Sequence, residues 1–371
     1  MHFLNEQSSW VEIDLSAIEE NVRIIKTLTG GEVMAVVKAN AYGHGAVPVA
    51  NAALKGGAAW FGVARIEEAL ELRNAGIEQK IFVLGYIPPA HLISAVDNQI
   101  SFAVWDVEQI DTVSNLWGNS DSAARVHLNV DTGMSRLGVS FESALELVLY
   151  LSNKPGVLFE GIFTHFARAD ESDQGSAELQ EDRFIKVLDD LQNLNIDPQW
   201  VHASNSAASL IRPSARFNMV RVGISIYGLH PSLDIKLPET FQPALSWKGT
   251  LCQVKDVPPG TGVGYGHEYV ASKKEKIGTV PVGYADGIRR VMGNRVLVRG
   301  QAVPVVGRIC MDQIMIQLDN VSSAKVGDEV VIIGRQGEER ISAENLAHLW
   351  GTINYEVVCG INRRVPRFYL D

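Results

Sequence analysis

The chain has 371 residues, 46% hydrophobic and 20% charged, and its 33 basic and 43 acidic side chains give a formal charge of −10. At ~100–200 residues per domain this length implies two or three domains, and the acidic balance excludes nucleic acid as the main partner, because phosphate binding needs a basic footprint. Cys252, Cys310 and Cys359 are too scattered for a disulfide framework or a metal site. No apolar segment opens the chain and none reaches the ~20 residues of a membrane span, so a cytoplasmic protein without a membrane partner is expected.

From Asp14, whose side chain suits a helix start, to Leu229, apolar runs alternate with helical patterns. The runs are Met34–Val37, Trp60–Val63, Ile81–Leu84, Ile100–Val104, Val126–Val130, Leu158–Phe163, Trp200–Val201 and Met219–Val222. Segments such as Ile66–Arg73 lie between them, with acids early and apolar residues at helical spacing. Eight strand–helix units predict a (β/α)8 barrel of the TIM type. An open doubly wound sheet is the alternative, but it usually has fewer strands and a glycine fingerprint after the first. Beyond Pro231, Pro238 and Pro243 the period changes to Val, Ile and Thr runs broken by Pro-Pro-Gly and single glycines, which predicts antiparallel β structure. The expected organisation is α/β: a barrel over residues 11–235, then a mostly-β domain over 236–371, with residues 1–10 left open to packing with the second.

Barrel enzymes carry their chemistry at the C-terminal ends of the strands. Lys38 ends the first run, in Val-Val-Lys38-Ala-Asn-Ala-Tyr42-Gly-His44-Gly. Desolvated there, it could form a Schiff base; the bland reading is a lysine leaving the strand for solvent. His127, His165 and His202 on three successive strands raise a metal-dependent hydrolase, but carboxylate ligands and a His-x-His pair on the first strand are missing, so no metal is expected. Asn205-Ser206 and Arg221-Val-Gly223-Ile224 follow the last two strands, where barrels often hold a phosphate. A helix N-cap accounts for Ser206 about as well. A lysine on the first strand and a phosphate cradle on the last two suggest pyridoxal phosphate, with Arg221 at the pyridine nitrogen. Gly260-Thr-Gly-Val-Gly-Tyr265-Gly-His267 follows two prolines and precedes no helix, so it reads as a glycine-rich turn presenting Tyr265 rather than a nucleotide loop.

Together these segments resemble the alanine racemase family. The resemblance is carried by Val36–Gly45, Asp131-Thr-Gly-Met-Ser-Arg136-Leu-Gly138, Asn205–Ala208, Met219–Ile224, Tyr265-Gly, Val282–Gly287, Gly307–Gln313 and Asn354-Tyr355-Glu356, in this order along essentially the whole chain. It implies a pyridoxal 5'-phosphate enzyme that interconverts L- and D-alanine, supplying D-alanine for peptidoglycan as a homodimer with shared active sites. By the resemblance Lys38 holds the cofactor, and Tyr42, Ser206, Gly223, Ile224 and Tyr355 hold its phosphate. Arg221 meets the pyridine nitrogen, and Arg136 the phenolic oxygen and the substrate carboxylate. Tyr265 of the partner subunit is the second base, with Met311 near the substrate carboxylate, Tyr284 narrowing the way in, and Asp312 and His165 in support.

One position departs from the family pattern. Where the family commonly has a carboxylated lysine steadying Arg136, this chain has the neutral Asn129. A buried unpaired charge is costly, so a small anion such as chloride is expected beside Asn129 and Arg136. Serine racemisation is the nearest rival activity and a decarboxylase of the same barrel is further off. A non-catalytic cofactor carrier is disfavoured by the β domain after Ala244.

Overall fold

A computed structural model describes residues 7–118 and 123–371; residues 1–6, part of the segment left open above, and 119–122 lie outside the described residues. Two compact units are present, and the chain passes between them more than once. One unit runs over 17–41 and 45–242; the other takes the strand Ser9–Asp14, the short segment Tyr42–His44 and everything from Pro243 onward.

The first unit is the barrel that the alternating runs predict. Its strands are Glu32–Val36, Trp60–Val63, Lys80–Val83, Ile100–Val104, Ala124–Asp131, Val157–Phe163, Trp200–His202 and Met219–Val222. They pair in parallel and in sequence order from first to seventh, and the eighth pairs back onto the first. The strands are buried almost end to end, as expected of parallel strands covered on both faces. The seventh and eighth strands share no ladder. They meet through Arg221 N–H donating to the Ser204 carbonyl (2.9 Å) and Val201 N–H donating to Asn218 Oδ1 (2.9 Å).

Met34, Trp60, Phe82, Ala103, Phe163 and Met219 pack into a buried cluster. Two histidines stand among them: the His127 ring lies 4.5 Å from that of Phe82, and His202 stacks flat on Phe163 at 5.0 Å. Space for the His127 ring depends on Gly161, because a Cβ there would meet His127 Nδ1 at 2.6 Å and the Trp200 carbonyl at 2.8 Å.

The second unit is mostly strand. Its sheet runs, in spatial order, Gln253–Val257, Glu275–Val280, Ile314–Gln317, Gln301–Val306, Arg295–Val298, Glu329–Gln336, Leu245–Thr250, Ser9–Asp14 and Arg367–Leu370. Pairing is antiparallel except between the last two strands. The small hairpin Gly262–Val263 with Tyr269–Val270 carries the glycine-rich turn at its tip. The helices Ala343–Trp350 and Asn354–Cys359 complete the unit, and no helix among the described residues is long and apolar enough to cross a membrane.

Gly161→Ala forces a methyl against backbone as well as the ring. It should lower stability by about 1–3 kcal/mol, the usual cost of overpacking. Urea unfolding followed by circular dichroism measures this, and an unchanged midpoint would contradict the packing described.

Candidate active site

In the barrel unit Lys38 leaves the first strand, and the backbone then turns left-handed. Ala39, Asn40, Ala41 and Tyr42 have φ of 53°, 55°, 52° and 53°. Non-glycine residues pay roughly 1–2 kcal/mol each for that conformation, so tertiary bonds must hold it. The Glu68 carboxylate accepts from Ala39 N–H (2.6 Å) and also from Ala64 N–H (2.8 Å) and Arg65 N–H (3.1 Å). The Asn40 side chain accepts from Ala46 N–H at 2.9 Å. Glu68 was hidden in the sequence as an ordinary acid in the first turn of a helix, so this anchor of the lysine loop was missed.

Arg221 is buried in the eighth strand. Its Nη1 donates to His202 Nδ1 (3.0 Å) and the His202 carbonyl (2.9 Å). Its Nη2 donates to the carbonyls of Thr164 (2.9 Å) and Ala203 (3.0 Å) and to His165 Nδ1 (3.1 Å). A guanidinium has five N–H groups. The four on the terminal nitrogens are taken, and Nε–H has no acceptor among the described residues. Burial and the charge of Arg136 push the group down to about 9, so it remains a cation at pH 7. His165 lies well below the usual histidine range, through burial first and then the charges of Arg221, Arg136 and Lys38. That mutual influence gathers Lys38, Arg136, His165 and Arg221 at one end of the barrel.

Ser206 is not the helix cap. That position belongs to Asn205, whose Oδ1 accepts from Ala208 N–H at 3.0 Å. The buried Ser206 Oγ instead accepts from the backbone N–H of Gly223 (3.0 Å) and Ser225 (3.4 Å), which leaves its proton to give. Close by, the Ser225 hydroxyl is buried without a hydrogen-bond partner among the described residues. Ile224 is also buried beside them in the chain.

Arg136 sits in the exposed loop after the fifth strand. Asp131 Oδ1 accepts from Gly133, Met134 and Ser135 N–H at 2.9–3.0 Å and shapes that loop. Gly138 (φ 120°) closes it, where a Cβ would stand 2.7 Å from Asp131 N. Arg136 makes no ion pair or hydrogen bond among the described residues, and Asn129, buried in the fifth strand, has no side-chain hydrogen bond among them either.

The second unit holds the remaining candidates. The Tyr42 ring, buried, lies 6.0 Å from that of Tyr355, and burial followed by Tyr355 and Cys359 raises its phenol, keeping it a neutral donor. Tyr265, Tyr284 and Met311 are exposed by 68%, 44% and 52%, high for large side chains of which two are aromatic. The Tyr284 loop is tied to the Met311 loop: Tyr284 N–H donates to the Cys310 carbonyl (3.1 Å) and Ala285 N–H to the Met311 carbonyl (3.0 Å). Arg364 bridges Asp286 (2.6 Å) and Asp312 (2.8 Å) across the same two loops. Gly264 and Gly266, both at positive φ, form the Tyr265 turn. Asp312 is therefore a partner of Arg364 in fixing a loop.

Two outcomes follow. Glu68→Ala removes the acceptor of three backbone donors and should cost about 1–3 kcal/mol, read as a lower urea midpoint. His127, His165 and His202 all titrate lower in the folded state, burial being the first cause for each. Their contribution to stability is then present above the unfolded value of about 6.5 and lost below it, by up to about 1.4 kcal/mol per pH unit per histidine. The melting temperature should accordingly fall from pH 7 to pH 5, and a flat profile would contradict the neutral histidines.

Comparison with known proteins bears on this geometry. The family description "Alanine racemase, N-terminal domain" matches residues 13–231, and "Alanine racemase, C-terminal domain" matches 244–369. Alanine racemase of Methanococcus maripaludis is 45% identical over 97% of this chain and 98% of that protein. The Geobacillus kaustophilus enzyme is 46% identical over 98% and 94% respectively. The crystal structure of alanine racemase from Bacillus anthracis with bound L-Ala-P superposes with a TM-score of 0.92 at 42% identity, covering 98% of this chain and 95% of that one. Matched along both units, the chain belongs to the alanine racemase family.

Proposed function

We propose that this protein interconverts L- and D-alanine with pyridoxal 5'-phosphate, using Lys38 and Tyr265 of the partner subunit as the two bases of a homodimer. The observation that carries the cofactor is Arg221, whose one uncommitted donor, Nε–H, suits an unprotonated ring nitrogen. The donor set at Ser206, Gly223 and the buried Ser225 hydroxyl fits a phosphate, with Ile224 N–H, Tyr42 and Tyr355 as its further holders. When bound, the cofactor spreads the electron pair left on the substrate Cα, so that proton can be removed.

The protein's own groups then do the following. Lys38 carries the cofactor and, once displaced by substrate, its amine takes or returns the proton on one face. Tyr265 of the partner subunit serves the opposite face, and its exposure in a single chain supports a role completed by a second copy. Nearby positive charge favours its phenolate. His165 and Arg221 would reach it as a hydrogen-bonded chain, Arg221 donating to His165 Nδ1 at 3.1 Å and carrying the charge. Arg136 binds the substrate carboxylate, Met311 borders it, and Tyr284 narrows the channel. A guanidinium held at the ring nitrogen keeps that atom unprotonated, which limits delocalisation and suppresses transamination. D-alanine for peptidoglycan is the use we infer for the product.

Asn129 supplies no negative charge for Arg136, so we infer a small anion there, with chloride as the probe. The KM for L-alanine should fall as chloride replaces gluconate at constant ionic strength, and an indifferent KM would remove the anion.

Lys38→Ala should lose the yellow colour of bound cofactor and racemisation together. Tyr265→Phe should keep the colour but lose exchange of the Cα proton when L-alanine is the substrate, read by NMR in heavy water. A yellow Lys38→Ala protein, or unchanged racemisation in Tyr265→Phe, would overturn the assignment. Serine assayed beside alanine tests the rival substrate.

A further inference from the structure

The bonds of Arg221 continue beyond the site. Arginine only donates, so its contact with His202 Nδ1 makes that nitrogen an acceptor and places the single proton of His202 on Nε2. His202 Nε2 lies 2.8 Å from His127 Nδ1, which must then accept, and this puts the proton of His127 on Nε2. That nitrogen is 3.2 Å from Glu160 Oε2, and a carboxylate only accepts. One assignment satisfies every contact: Arg221 donates to His202, His202 to His127, and His127 to Glu160. A cation fixes its direction at one end and an anion at the other, with both histidines neutral between them.

Glu160 stands at the barrel end remote from the chemistry. Its side chain is 2% exposed and also receives Ser101 Oγ (2.6 Å), Lys80 Nζ (2.7 Å) and Arg125 Nη1 (3.3 Å). Lys80, Ser101 and Arg125 all lie in the first two residues of their strands. Burial works to raise the carboxyl, but the bonds from His127, Lys80 and Ser101 win and hold it below the usual carboxylate range. Every link from Arg221 to Glu160 is buried.

We propose that Glu160 is a positioning residue for the reaction, holding the Arg221 guanidinium in one orientation through His127 and His202 so that Nε–H stays available to the cofactor ring nitrogen. This rests on the reading of Arg221 given under Proposed function. The carboxylate matters because it cannot donate. An amide of the same size can give N–H to His127 Nε2, which allows the whole chain to reverse. Reversal ends with His202 Nδ1–H facing Arg221 N–H, donor against donor, and the guanidinium is pushed from its place.

The test uses the whole protein, labelled with nitrogen-15 histidine. Without cofactor, long-range proton–nitrogen NMR should show His127 and His202 as neutral Nε2–H tautomers at pH 7, and Glu160→Gln should populate Nδ1–H forms. With cofactor, Glu160→Gln should bind it with a shifted absorption band and lower kcat about tenfold, the low end for losing an orienting partner, while KM stays within about twofold. Glu160→Asp should recover part of that loss. If Glu160→Gln does not fold, His127→Gln, which breaks the chain but leaves Glu160 with Lys80 and Ser101, should show the same kcat loss. A charged or Nδ1–H histidine in the native protein overturns the proposal, as does an unchanged kcat in either folded variant. Arg221→Gln separates the two readings. If it leaves band and kcat unmoved, the role of Arg221 itself fails; if it moves both while Glu160→Gln moves neither, only Glu160 is excluded.

Discussion

A cation inside an apolar barrel is the constraint that organises the site. Taking a guanidinium out of water is tolerable only when its N–H groups find acceptors, and in Arg221 those acceptors come from the ends of the sixth and seventh strands. This explains why Thr164, His165, His202 and Ala203 lie where they do, and why Phe163 offers its ring face 5.4 Å from the guanidinium carbon. The same constraint reaches down the barrel, because a histidine that accepts from arginine must dispose of its own proton elsewhere. The polar column through His127 is that disposal, and Gly161 is the space it needs.

Much of this was legible in the chain. The eight apolar runs located the eight barrel strands, with errors of a residue or two where a polar residue such as Glu32 or Lys80 joins a ladder. Lys38, Ser206 and Arg221 were visible because strand ends are where a barrel exposes side chains. Other features were not. Glu160 interrupts the run Leu158–Phe163, and a carboxylate inside an apolar strand was the available signal, but its importance depends on partners in three other strands. Ser9–Asp14 was not read as a strand, since its neighbours Leu245–Thr250 and Arg367–Leu370 lie at the far end of the sequence. The left-handed turn after Lys38 has no signature at all beyond Asn40. Alanines do not choose it; Glu68 imposes it.

The two units divide the chemistry unevenly. The barrel gathers the cations Lys38, Arg136 and Arg221, while the β unit presents Tyr265, Tyr284 and Met311 on glycine-shaped or ion-paired loops. Those loops spend hydrogen bonds and the Arg364 ion pairs on holding exposed, largely apolar side chains still. Such investment is unusual for a surface facing only water, and it accords with a surface meant to be covered.

The missing ladder between the seventh and eighth strands gives the barrel a seam. Separate bonds from Arg221 and Asn218, rather than a backbone ladder, close it in the described structure, so thermal opening should begin there before it reaches any fully laddered pair. Ser206 follows one side of that seam and Gly223 the other, and a phosphate gripped by both would act as a clasp. On the reading proposed here, cofactor loading would then do more than equip the enzyme. It would complete the circumference, and slow hydrogen exchange along the seam would be the mark of a finished barrel.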